Sequence, residues 1–203
     1  WVLPEIQAEV DRIRKLRQAM QEQEAAERRM ERYEGSPPPV NFLLLDAVVW
    51  DRYMADILEK SAQCRSLYAT RGADSDLDGV APYLLPYEPD TAFAGWLEEN
   101  KRKNLRRMYL KSGLSGESLR RHLRHFLRVK TEGGKYLYFR FYDPYVFNTV
   151  FPNLTQKQAV EFFEPLEYAV TEDIRINERR IYFLSPEKEL HIQYQTIDHV
   201  DHH

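Results

Sequence analysis

Asp74-Ser75-Asp76-Leu77-Asp78-Gly79 sets side-chain oxygens at positions 1, 3 and 5 and a glycine at position 6, the opening half of a calcium-binding loop. Its twelfth position is Leu85 instead of a bidentate glutamate, and Pro82 falls inside the loop, so an acidic surface loop is the better reading. His122 and His125 stand three apart, a spacing that can hold a metal when other ligands arrive. The arginines around them repel a divalent ion, so basic surface or boundary positions are expected and no metal is assigned. His199, His202 and His203 sit at the end of the chain and carry no ligand pattern. Cys64 is the one cysteine; it cannot form an internal disulfide, which favours a reducing compartment, and it reads as a small buried hydrophobe. Asp46 lies near the carboxyl end of an apolar strand, where open α/β sheets place ligands, and capping the next helix explains it equally well. Arg140 and Asp143 could form a catalytic pair, but no Ser-His-Asp order, HExxH or paired-carboxylate pattern accompanies them. The structural alternative has Arg140 held along a tyrosine face by hydrogen bonding and cation–π contact, with Asp143 as a helix cap. No enzyme is expected from these sets.

The elements that must position these residues follow from pattern. Residues 5 to 34 lack glycine and proline and carry Ile6, Val10, Ile13 and Met20 at helical spacing, a long helix stopped by Gly35-Ser36-Pro37-Pro38-Pro39. Phe42 to Val49 reads as a strand buried from both sides. A helix follows, with Trp50, Tyr53, Met54, Ile57, Leu58 and Ser61 as its inner stripe. A second strand spans Arg65 to Thr70, so a parallel βαβ unit is expected. The connection after the first strand has no glycine, which disfavours a phosphate-cradling loop, and no cofactor is predicted. Residues 91 to 107 form another helix with Phe93, Trp96 and Leu97 inward, and Met108 to Lys111 a short strand. Ser115 caps a helix whose apolar side is Leu119, Leu123, Phe126 and Leu127. Arg120, Arg121, Arg124 and Arg128 lie off that stripe and predict an outward guanidinium row.

Gly133-Gly134 turns the chain into a strand from Lys135 to Tyr142, with Leu137, Phe139 and Phe141 on one face and Tyr136, Tyr138, Arg140 and Tyr142 on the other. Asp143-Pro144 starts a short helix, and Thr155 and Gln158 have capping-box spacing for the next. Arg179 to Leu184 and Glu189 to Thr196 predict a hairpin. The longest nearly apolar run, Phe42 to Trp50, is too short to cross a bilayer, and Trp1-Val2-Leu3-Pro4-Glu5 lacks the features of a secretory signal.

Charge narrows the partners. The chain carries a net charge of -3, yet residues 101 to 130 hold eleven Lys or Arg against one acid, Glu117. Such a basic face attracts nucleic acid, an anionic surface or an acidic protein. Nucleic acid is the competing reading, with Tyr109, Phe126 and Tyr136 nearby for stacking, but Phe126 belongs to the inward stripe and no recognition module is present.

Several stretches in order carry a more specific signal: Leu43-Leu44-Leu45-Asp46-Ala47, Ala81-Pro82-Tyr83-Leu84-Leu85, Phe93 with Trp96-Leu97, Ser118-Leu119-Arg120-Arg121-His122-Leu123-Arg124, Tyr138-Phe139-Arg140-Phe141-Tyr142-Asp143-Pro144, Pro152-Asn153-Leu154, Gln158, and Phe162-Phe163-Glu164-Pro165. Together, over about residues 42 to 168, they resemble the Tap/TEC family of type VI secretion effector chaperones, also called adaptors and known as domain of unknown function 4123. The resemblance implies a cytoplasmic bacterial protein without catalytic activity that binds a toxic effector, through its N-terminal region, and promotes its loading onto the VgrG spike. The expected fold is mixed α/β. A charged helix and linker occupy 1–39; an adaptor domain spans 40–170, with a βαβ-containing lobe at about 40–112 and a more helical lobe at 113–170; an extension holding the hairpin covers 171–203. Arg120, Arg121, Arg124, Arg128, Arg140, Tyr142 and Asp143 are the expected partner-binding residues.

Overall fold

Phe42-Leu43-Leu44-Leu45-Asp46 has no polar face, so it can be satisfied only inside a sheet covered on both sides. The computed structural model describes residues 41–50, 53–61, 63–68, 80–89, 91–99, 107–131, 133–173 and 175–197. In it this segment is β1 (Phe42–Asp46), buried along its whole length. The expected helix at 5–34, the linker at 35–39, the acidic loop at 74–79, Lys101, Arg102, Lys103 and Arg106 of the basic run, and His199, His202 and His203 lie outside the described residues.

The fold is mixed α/β, as expected. A seven-stranded sheet combines β1 with β2 (Arg65–Ser66), β3 (Pro82–Pro86), β4 (Arg107–Lys111), β7 (Tyr168–Asp173), β8 (Glu178–Leu184) and β9 (Leu190–Thr196), in the order β2-β3-β1-β4-β7-β8-β9. Every neighbouring pair is antiparallel; Leu44 faces Leu84 on one side and Met108 on the other, and Val170 lies between Tyr109 and Ile181. β1 and β2 run parallel, as the βαβ pattern predicts, but β3 inserts between them and pairs with both. A separate two-stranded ribbon joins β5 (Arg128–Lys130) to β6 (Tyr136–Tyr138).

The two-residue alternation of the strands divides the core. Phe42, Leu44, Leu84, Met108, Leu110, Ala169 and Tyr182 point to one face, where they meet Leu119 and Leu123 of α4 (Gly116–Arg124), Phe147 of α5 (Pro144–Val150), and Phe162 and Phe163 of α6 (Gln156–Phe163). Leu43, Leu45, Tyr83, Leu85, Tyr109, Val170 and Ile181 point to the other. There they meet α1 (Ala47–Trp50), α2 (Met54–Lys60) and α3 (Ala92–Glu99) through Trp50, Ile57, Ala94 and Leu97. Helices preceding β4 therefore cover one face and those following it cover the other. No helix among the described residues is long and apolar enough to cross a membrane.

Local chemistry sets the helix starts. The Ser115 hydroxyl accepts the Ser118 amide at 3.3 Å, and Thr155 with Gln158 forms the reciprocal capping box. Several details differ from expectation: β2 covers Arg65–Ser66, with Leu67 and Tyr68 beyond its end and not in a strand to Thr70, and Arg107 opens β4 instead of closing a helix. The first strand ends at Asp46 instead of Val49, because the Asp46 carboxylate accepts the Val48 amide at 3.1 Å and turns the chain into α1. Leu58, assigned to an inner stripe, is 46% exposed on α2. β6 stops at Tyr138, and Leu137, expected to face inward with Phe139 and Phe141, is 54% exposed, because no second layer covers the ribbon there.

Candidate partner-binding surface

Leu119 and Leu123 hold α4 against the sheet, each fully buried. The arginines beside that stripe diverge. Arg120 leaves the expected outer row: its Nε donates to the Ser66 carbonyl at 2.8 Å and its Nη1 to Glu117 at 3.2 Å, and its side chain is only 13% exposed. It adjoins Leu119, at the rim of the apolar stripe, so its stem lies along the protein and its charged head meets a carbonyl of the sheet's edge strand. Arg121 and Arg128 do face solvent, and Arg124 is half-buried. Arg120→Ala is therefore expected to cost about 1.5–3 kcal/mol, the range for a hydrogen bond to a charged group, whereas Arg121→Ala stays within about 0.5 kcal/mol. Urea unfolding of the two variants checks this; equal midpoints would remove Arg120's anchoring role.

The two histidines separate as well. His122 Nε2 donates to the Phe162 carbonyl at 2.8 Å and its ring rests against Phe126, whereas His125 is exposed. No group of three or more His, Cys, Asp or Glu able to hold a metal occurs among the described residues. Burial holds the His122 pKa below its ordinary value. A depressed folded-state pKa means the folded form binds protons less readily than the unfolded chain, so this contribution to stability is complete above about pH 6.5 and is lost as the pH falls through the folded value. Stability should decline from pH 7 to 5, and His122→Gln should flatten that decline; superimposable urea midpoints against pH for the two chains would refute the assignment.

Beyond α4 the chain enters the β5–β6 ribbon, whose six residues are all exposed. The register pairs Arg128 with Tyr138, Val129 with Leu137 and Lys130 with Tyr136. Facing residues share a side, so Arg128, Lys130, Tyr136 and Tyr138 form one face and Val129 with Leu137 the other. The Arg128 guanidinium lies 4.8 Å from the Tyr136 ring centroid.

The cationic face continues into the body of the protein. The Tyr138 ring lies 5.8 Å from Tyr68, and the Tyr68 hydroxyl is 3.1 Å from that of Tyr142. Arg140 lies over the Tyr142 ring at 5.9 Å, the cation–π contact expected of the tyrosine face. Its guanidinium also donates to Asp46, a carboxylate that is 1% exposed. That bond raises the Arg140 pKa, while burial and the Tyr68 bond push Tyr142 above the usual tyrosine range. Arg140 thus pairs with Asp46 and not with the sequence neighbour Asp143. Asp143 accepts the Tyr145 amide at 2.9 Å and caps α5, its predicted structural role.

Tyr68 joins the strip without any signal in its own sequence neighbourhood, because its partners Tyr138 and Tyr142 lie seventy or more residues away and no local spacing announces them. Leu137 departs from its expected inward place because alternation alone cannot tell a half-buried strand from a solvated ribbon. Cys64 is buried in the second core cluster, and desolvation raises its thiol pKa to about 12, so it is a poor nucleophile. A cleft of about 390 Å³ beside α4 is lined by Phe42, Gln63, Arg65, Leu84, Pro86, Gly116 and Glu117.

The surface that emerges is a strip of cations and tyrosines rooted in the sheet and running out onto an open ribbon. The profile of a family described as a domain of unknown function (DUF4123) matches residues 41–161, more than half of the chain and a span that includes the whole strip. No curated protein and no solved structure matches. The family match covers β1 through most of α6, with β7 to β9 beyond it. The chain belongs to the DUF4123 family, the family associated with Tap/TEC-like adaptors of type VI secretion effectors.

Proposed function

We propose that this protein is an effector adaptor: it captures a toxic type VI secretion effector by the effector's N-terminal region and promotes its loading onto the VgrG spike. In this reading it works in the bacterial cytoplasm before secretion and catalyses nothing itself. The family match over residues 41–161 carries the proposal. The exposed strip supports it, because a carrier needs an accessible, charged and aromatic surface more than an enclosed cleft. Arg121 and Arg128 supply outward charge for steering, while Arg120, Arg140 and Asp143 hold the surface in shape.

Purification of the tagged chain from the native bacterium, followed by mass spectrometry and a binding isotherm with the recovered partner, tests the reading. A secreted toxin retained with sub-micromolar affinity, and a spike protein recovered with it, is the expected result. A chain that retains neither, or that instead shifts DNA or RNA in a salt-sensitive mobility assay, overturns it.

A further inference from the structure

The β5–β6 ribbon raises a physical question of its own. Two-stranded hairpins are marginal in water, and exposed strand edges invite pairing with another chain. Here Tyr136, Leu137 and Tyr138 are 59%, 54% and 67% exposed, and neither strand pairs with a third among the described residues. The hydrogen-bond phase is set by Phe139 donating to the Leu127 carbonyl and Thr131 donating to that of Lys135. Alternation from those two points bonds Val129 to Leu137 within the ribbon. The backbone N–H and C=O groups of Arg128 and Lys130 point out along one edge, and those of Tyr136 and Tyr138 along the other.

We propose that the ribbon takes up a third strand: an extended effector segment in which carboxylates alternate with apolar side chains. Strand addition places successive side chains on opposite faces. On the β5 edge every second residue of the added segment lies beside Arg128 and Lys130, and the residues between lie beside Val129, on the face it shares with Leu137. Charge selects the acidic partner, since residues 118–140 carry seven Lys or Arg against the single Glu132. The aliphatic second face favours a polypeptide over nucleic acid, whose bases would find no stacking surface there. This inference rests on the adaptor reading and specifies how the effector is held.

The test uses the effector identified by co-purification. Hydrogen exchange by NMR on the unmutated chain should show the outward amides of the β5 edge, Arg128 and Lys130, becoming protected when the effector binds, with those of Tyr136 and Tyr138 unchanged. Lys130→Glu and Leu137→Asp should each weaken binding at least tenfold with an unchanged melting temperature, and lysine at the effector's acidic positions should restore affinity for Lys130→Glu. Effector binding that leaves the ribbon amides unprotected and ignores both substitutions overturns the ribbon while the adaptor reading stands. An unmutated chain that binds no effector overturns both. Loss of affinity for a single-stranded 20-mer in Lys130→Glu, with effector binding intact, would assign the ribbon to nucleic acid instead.

Discussion

Glu172→Ala should lower the unfolding free energy by about 3–5 kcal/mol, the range for removing one member of a buried ionic network. Glu172 lies on β7 opposite Arg179 of β8, and the two are direct register partners. Arg179 donates to Glu172 through Nε at 3.0 Å and Nη2 at 2.8 Å, and Arg107 of β4 approaches the other carboxylate oxygen at 3.5 Å. The side chains of Arg107, Glu172 and Arg179 are only 3%, 7% and 7% exposed. Removing the carboxylate leaves two guanidinium groups close together in a low-dielectric space with their shared counter-charge gone. For a chain of this size the loss corresponds to roughly 10 °C in melting temperature. Joint replacement of Arg107, Glu172 and Arg179 by Met, Leu and Met should recover much of it, because the desolvation of three charges then disappears as well. Denaturant midpoints measure both; a Glu172→Ala loss below about 1 kcal/mol would show that the network contributes no more than an exposed ion pair.

Phe162→Ala should cost a similar amount, about 3–5 kcal/mol, for a different reason: it opens a cavity. Phe162 is 2% exposed, and its ring stands edge-on to Phe126 at 4.9 Å, Phe151 at 4.6 Å and Phe141 at 5.5 Å. These rings come from the turn after α4, the turn after α5 and the segment leaving β6, so the Phe162 side chain is where three stretches of the chain converge. Edge-to-face contacts add about 0.5–1.5 kcal/mol per pair beyond the buried area. Phe162→Leu should lose clearly less, since it keeps most of the volume. Thermal unfolding of the pair separates packing volume from ring geometry; equal losses would mean that volume contributes little.

What can be read in one dimension is what is decided locally. The leucine stripe of α4, the caps at Ser115, Asp143 and Thr155, and the β8–β9 hairpin follow from spacing within a few residues, and each stands where the sequence predicts it. β1 is legible as doubly buried because its own five residues are nearly all apolar. β3 escapes a sequence reading, because Pro82 and Pro86 at its ends resemble loop punctuation; proline is tolerated at the first residue of a strand, and the Pro82 carbonyl still accepts the Leu67 amide. Insertion of β3 between β1 and β2 is a choice among pairings that no short window contains. The same holds for the site. Arg121 points outward as a helical pattern predicts, and Arg128 is exposed on β5 and not on the expected helix, while the turn of Arg120 toward Ser66 and the bond from Arg140 to Asp46 span 54 and 94 residues.

That last bond gives the ribbon a mechanical root. Arg140 follows two residues after β6 and fastens to the end of an inner strand of the seven-stranded sheet, so a load hung on the ribbon is delivered there and not to a fraying margin. A pull on the ribbon would load this tether, and cutting it should let the ribbon loosen under forces that leave the sheet intact.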